Sequence, residues 1–268
     1  MDVQGPAAFR PRTVGEILQA AFQLYARHWQ NLIALVAFVV IPLSLLQSLI
    51  SQQLILNGFT SEQLANGQVE VTTPLFASLA ASAVVAILST IIWTVVLGAV
   101  TLAAAGTYLG RDLDIAASYR FGFSRFWSIV WVAILMGLAI VAGFILFVIP
   151  GFFILTRLAV SVPALIVEDR RGTGALSRSW NLVRGHGWNV FGAIFVALLI
   201  STLVSGILTS PFSGWLSAGI ASAIASVITT PFTALVGIVV YLDLRVRKEG
   251  LDAATLERDL ASASGPQP

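Results

Sequence analysis

Residues 127–149 read WSIVWVAILMGLAIVAGFILFVI, 23 consecutive positions with no charge and a single hydroxyl, Ser128. At a rise of about 1.5 Å per residue this stretch is long enough, as a helix, for the ~30 Å hydrocarbon core of a bilayer. Working outward, further apolar runs occupy 31–55, 76–109, 152–168, 188–210 and 216–243. The pattern predicts an all-α integral membrane protein of about six transmembrane helices. Composition agrees: of 268 residues 57% are hydrophobic and only 10% are charged, whereas soluble domains carry roughly 25% charged residues.

The same composition excludes several function classes. There is no cysteine, so no disulfide framework, thiol nucleophile or thiolate metal site can form. No basic face of the kind that binds nucleic acid is present. Fourteen of the fifteen basic residues are Arg, a usage that suggests a GC-rich bacterial genome. The first thirty residues contain Asp2 and Glu16 and lack the short apolar core of a secretory signal, so the first span is the expected insertion signal.

Charge placement gives an orientation. With both termini on the cytoplasmic side, every Lys and Arg outside the spans falls at a cytoplasmic position. The outer connections, Leu56 to Thr73, the Ile149-Pro150-Gly151 turn and Ser210 to Gly214, then hold no basic residue, as the positive-inside rule requires. The expected location is a bacterial cytoplasmic membrane, crossed several times.

Each inner segment before an odd-numbered span reads as a short interfacial amphipathic helix ending in Trp, at about 13–29, 112–126 and 173–186. In the first, Thr13-x-x-Glu16 has the form of a capping box, and Val14, Ile17, Leu18, Ala21 and Tyr25 form one apolar stripe. Such a helix is expected in the headgroup plane. Aligning on Trp29, Trp127 and Trp188 places Ile17, Ile115 and Leu176 in register, and likewise Ala20, Ser118 and Ser179. A hairpin of two spans follows each Trp, which would make three parallel helix-hairpin repeats. Trp29, Trp127, Trp188, Tyr108 and Tyr241 are the expected interfacial anchors. Gly98 and Pro231 correspond in the second and sixth spans and are expected to kink them.

Residues 1–12 read as a flexible tail, 13–250 as the membrane domain and 251–268 as a short cytoplasmic tail with a disordered end. Leu251 to Leu260 could form one more helix.

Several stretches together resemble a known family. They are Thr13-Val14-Gly15-Glu16-Ile17-Leu18 leading to Phe22-x-Leu24-Tyr25-x-Arg27-x-Trp29; Pro163-Ala164-Leu165-x-Val167-Glu168; Arg178-Ser179-Trp180-x-Leu182-Val183-x-Gly185-x-x-Trp188; and Tyr241-x-Asp243-Leu244-Arg245-x-Arg247-x-Glu249-Gly250-Leu251-Asp252. They look like the bacterial membrane domains named for their occurrence beside glycerophosphodiester phosphodiesterases, over roughly residues 12 to 252. The resemblance implies a polytopic helical domain and no established activity for the membrane part. In fused relatives hydrolysis belongs to a separate metal-dependent barrel, for which this chain has no room.

The chemistry inventory is short. The two histidines, His28 and His186, each stand beside an interfacial Trp, and no metal-ligand spacing, nucleophile motif or phosphate loop occurs. No catalytic residue, metal or cofactor is expected. The Glu168-Asp169-Arg170-Arg171 run reads as a solvated helix end. Arg157 differs, because a charge inside a span costs at least ~2.5 kcal/mol on insertion scales and normally faces a partner or a wet cavity. Arg157 and Asp243 therefore form the candidate intramembrane polar site, with a lipid phosphate or another anion as ligand. The leading expectation is a non-catalytic scaffold or accessory protein of envelope and lipid metabolism, with membrane lipids and a lipid-metabolism enzyme or another membrane protein as partners. A transporter or lipid-handling protein working through Arg157 is the alternative. An intramembrane enzyme would need a reactive cluster that the sequence does not offer.

Overall fold

A computed structural model describes residues 10–57, 80, 96, 98–106, 120, 123–211 and 215–264, which form helices and short connections, with no strand among them. The elements are α1 (Val14–Asn57), α2 (Phe126–Leu146), α3 (Val148–Leu158), α4 (Ser161–Glu168), α5 (Thr173–Val183), α6 (Gly187–Thr209), α7 (Trp215–Glu249) and α8 (Ala253–Ser264). Residues 98–106 are helical as well. Five stretches are long and apolar enough to cross a membrane: Val14–Pro42, Phe126–Leu146, Val148–Glu168, Gly187–Thr209 and Gly219–Glu249. The protein is thus an all-α membrane protein. Most of the run 76–109, most of 112–126, Tyr108, Ile115 and Ser118 lie outside the described residues.

The α1 capping box forms as its spacing predicts. The Thr13 amide donates to Glu16 Oε2 at 2.8 Å and the Glu16 amide donates to Thr13 Oγ1 at 3.4 Å, satisfying two donors that a helix start leaves open. Inside α1 the helical backbone is interrupted at His28 (φ −122°, ψ 19°). The same backbone conformation recurs at Arg125 (φ −104°, ψ 7°), which precedes α2, and at His186 (φ −125°, ψ 18°), which precedes α6. Each bend stands one or two residues before Trp29, Trp127 or Trp188.

The apolar stripe of the first amphipathic segment faces protein. Ile17 and Ala21 are buried, with Val14, Leu18 and Tyr25 packed on the same core. That core gathers Leu182 and Val183 of α5, Val190, Ala193 and Ala197 of α6, Leu235 to Leu242 of α7, and Leu256 and Leu260 of α8. A second cluster joins Leu35, Val36 and Val40 of α1 to Ala99, Val100 and Ala103 and to Val227 and Ala234 of α7. A third holds Ile129 and Val132 of α2 against Val162, Leu165 and Ile166 of α4 and Ala175 of α5. The expected tail helix is therefore real, and Leu251, Leu256 and Leu260 fix it to the core.

α7 runs as one helical element through Pro231, and residues 98–106 are helical from Gly98. One expectation about an individual span changes: the fourth run is not one helix but breaks at Ala159-Val160, dividing α3 from α4. Ser179 of α5 bridges the break: the Val160 amide donates to Ser179 Oγ at 3.2 Å, and Ser179 Oγ–H donates to the Arg157 carbonyl at 2.8 Å. Neither end of the break leaves that amide and that carbonyl without a partner.

α2 and α3 form a tight hairpin around one non-helical residue, Phe147 (φ −167°, ψ 159°). A Cβ on Gly143 would stand 2.8 Å from Ile154 Cδ1 and 3.1 Å from the Gly151 Cα. The second contact is with backbone, so only opening the hairpin could relieve it. Gly143→Val is expected to destabilise the fold by about 1–3 kcal/mol, read as a lower thermal midpoint in detergent. An unchanged midpoint would show that the hairpin is not closed at this point.

Candidate functional site

Charged residues far apart in sequence meet at one end of the bundle. The Glu168 carboxylate, 9% exposed, accepts from Arg178 Nε at 2.7 and 2.9 Å and from the Tyr241 hydroxyl at 2.7 Å. Arg245, 8% exposed, reaches Glu249 at 2.9 Å, Asp259 at 2.6 Å and Glu168 at 3.6 Å. Arg178 also reaches Glu249, at 2.5 Å. Burial works against the charge of Arg178, but its bonds to Glu249 and Glu168 outweigh burial and hold its pKa above the ordinary value. These contacts tie together α4, α5, α7 and α8.

This placement corrects two expectations. Glu168 is not a solvated helix end: the chain turns at Asp169, in the left-handed conformation (φ 52°), and α5 and α7 close over the carboxylate. Asp169, by contrast, pairs with Arg125 and with Arg171. Tyr241 is not an interfacial anchor: its ring is fully buried and its hydroxyl serves Glu168. The spacing Tyr241, Arg245, Glu249 (i, i+4, i+8) puts the three on one helical face, a signal that the sequence reading did not use. Trp29, Trp127 and Trp188 are exposed by 48%, 79% and 86%.

Arg157 and Asp243 are not brought together. Asp243 accepts from the Arg12 amide at 2.6 Å and from Arg247 Nε at 2.7 Å. It is committed to fastening the segment before α1 onto α7. Arg157 instead lies over the rings of Phe153 (4.9 Å) and Trp180 (5.4 Å) and donates to the Trp180 carbonyl at 3.5 Å. No carboxylate among the described residues comes within 4.0 Å of it.

Arg157 lines a groove of about 490 Å³ with Ile149, Phe152 and Phe153 on one wall and Gly185, Gly187, Trp188 and Phe191 on the other. Aromatic contacts extend along it: Phe152 meets Phe191 edge-on at 6.1 Å, and Phe191 stacks on Phe195 at 5.6 Å. The charged end is enriched further. Arg184 is exposed and has no carboxylate partner among the described residues, and Lys248 feels the positive charge of both Arg157 and Arg184. Lys248 donates to the Asn181 carbonyl, with Glu249 the carboxylate that acts on its charge. Chemically the groove offers an apolar, aromatic channel with cations at one end. Among the described residues no group of three or more His, Asp and Glu is arranged around a metal position.

Compared with family models, curated proteins and solved structures, the chain matches none of them.

Proposed function

We propose that this chain is a non-catalytic, multi-span membrane protein that binds a phosphate-bearing lipid in the Arg157 groove. It would act as an accessory or lipid-handling component of a bacterial cytoplasmic membrane, with both termini inside. The carrying observation is Arg157: a guanidinium stacked on Phe153 and Trp180 at the end of an aromatic groove, with no carboxylate among the described residues to neutralise it. A guanidinium held by stacking and one long bond to the Trp180 carbonyl keeps its other donors for bidentate phosphate contact, and the aromatic channel suits acyl chains. The resemblance to membrane domains that accompany glycerophosphodiester phosphodiesterases fits this reading and leaves hydrolysis to a partner enzyme. The three bends before Trp29, Trp127 and Trp188 support a threefold repeat of interfacial segment plus hairpin.

Native mass spectrometry of the gently solubilised protein tests the lipid reading. The wild type is expected to retain a phospholipid, and Arg157→Leu to lose it by about tenfold or more, the equivalent of one charge-assisted hydrogen bond. Arg157→Lys should retain part of the binding, since a point charge remains. Arg258→Leu, which removes an exposed cation of α8, should change nothing. Equal lipid retention in the wild type and Arg157→Leu would sink the proposal.

A scaffold function is the second reading, and the ion network favours it. Glu168, Arg178, Arg245 and Glu249 make the end of the bundle a cross-braced platform, on which an enzyme of lipid metabolism or another membrane protein could dock. A stoichiometric protein partner that co-purifies equally with wild type and Arg157→Leu would favour it.

A further inference from the structure

From Ile129 to Leu155 no side chain carries a charge, a hydroxyl, an amide or a carboxyl group. The α2–α3 turn lies inside this run. The residues around it, Ile145, Leu146, Phe147, Val148 and Ile149, are exposed by 81, 67, 73, 62 and 82%. A hairpin that crossed the bilayer would present this tip to water, where connecting turns are ordinarily polar and solvated. A tip that stays in hydrocarbon faces the opposite demand, that its backbone polar groups be satisfied internally.

At its one non-helical residue the turn meets that demand. Phe147 is the single non-helical residue, and both its backbone groups are used: its amide donates to the Gly143 carbonyl at 3.1 Å, and its carbonyl accepts from the Gly151 amide at 3.1 Å. Pro150, the third residue of α3, has no amide hydrogen to satisfy. Gly143 and Gly151 let the two backbones close on each other, as in helix pairs packed in lipid.

The register against α6 places the tip at partial depth. Phe152 meets Phe191 at 6.1 Å, and Arg157 lines the same groove as Gly185 and Gly187. Beyond Phe191, α6 runs on to Thr209, about 27 Å along its axis. Beyond Phe152, α3 extends only back to Val148, about 6 Å. Counted along the two helices from this contact, the tip is reached roughly 20 Å before the far end of α6, a large part of the ~30 Å hydrocarbon thickness.

We propose that the hairpin from α2 through α3 to α4 enters and leaves the bilayer on one face, the face of the ion network, and that its tip ends among lipid acyl chains. Its binding partner is the acyl-chain region of the leaflet it enters. Two of the six expected spans then do not cross, and the charge pattern is unaffected, because the hairpin begins and ends on the same side.

The absence of cysteine makes a direct test possible. Single cysteines are introduced at Phe147 and Ile149 (Phe147→Cys, Ile149→Cys), at Ser210 in the α6–α7 connection and at Arg258 on α8. The full chain is reconstituted in phosphatidylethanolamine/phosphatidylglycerol vesicles and exposed to a membrane-impermeant maleimide from each side in turn. Ser210→Cys and Arg258→Cys should label from opposite sides. Phe147→Cys and Ile149→Cys should label from neither side, and fully only after denaturation in SDS. An environment-sensitive fluorophore attached at 149 under denaturing conditions before refolding, or at 147 should 149 not refold, should be quenched most by nitroxides placed midway along the acyl chain. Labelling of the tip cysteines from the Ser210 side would mean a crossing hairpin, and labelling from the Arg258 side would mean an uninserted one. Either result overturns the proposal.

Discussion

Arg245→Met is expected to be the most destabilising single substitution in the ion network, costing about 3–5 kcal/mol. Arg245 is the cation shared by Glu249 at 2.9 Å, Asp259 at 2.6 Å and Glu168 at 3.6 Å, and it also donates to the Tyr241 hydroxyl at 3.3 Å. Methionine fills a similar volume but leaves Glu168 and Glu249 facing each other with Arg178 as their only strong common partner. A buried Glu168 beside the partly exposed Glu249, with too few counter-charges, is more costly than the absence of the whole network would be. The loss also has a direction: Asp259 sits on α8, so its release should expose the chain after Gly250. A lowered thermal midpoint in detergent, together with faster proteolytic removal of residues beyond 250, is the expected pair of results. Asp259→Asn, which loses only the partly exposed α8 contact (28% exposed), should speed proteolysis with a much smaller change in midpoint. A wild-type midpoint for Arg245→Met would show that the network carries little of the stability.

The five candidate membrane helices were legible because each contains a long apolar run, and hydropathy reports the medium around a helix directly. The α1 start was legible because Thr13 and Glu16 interact across three residues. Glu168 was not, since its partners Arg178, Tyr241 and Arg245 stand 10, 73 and 77 positions away and only packing brings them together. Read locally, a carboxylate at the end of an apolar run followed by Asp169, Arg170 and Arg171 is a solvated terminus. Tyr241 failed for a related reason: the aromatic-belt expectation concerns tyrosines facing lipid headgroups, whereas this ring points inward to a carboxylate. Arg157 was singled out by its energetic cost alone, and that was enough to find the groove. Pairing it with Asp243 failed because Arg247, one turn along α7, and the Arg12 amide already occupy that carboxylate. The α3–α4 break carries no hydropathy signal, because Ala159 and Val160 are as apolar as their neighbours.

That break underlies the second large effect, expected for Ser179→Ala. The Ser179 hydroxyl is fully buried and does two jobs, accepting from the Val160 amide at 3.2 Å and donating to the Arg157 carbonyl at 2.8 Å. Alanine leaves a buried amide and a buried carbonyl without these bonds, each a loss of about 1–3 kcal/mol. Ser161 cannot take over, since its hydroxyl already donates to the Leu158 carbonyl at 2.7 Å. The cost should appear first as movement between α3 and α5, the two elements that carry Phe153 and Trp180 and hold Arg157 between them. Ser179→Ala should therefore lower the thermal midpoint and also weaken lipid retention in native mass spectrometry, although it removes no charge from the groove. Ser179→Thr, which keeps the hydroxyl, tests geometry against bulk: recovery of lipid retention at a still-lowered midpoint would assign the binding effect to the hydroxyl. If Ser179→Ala lowers the midpoint and leaves lipid retention at the wild-type level, the groove does not depend on the α3–α5 joint, and Arg157 is held by its aromatic neighbours alone.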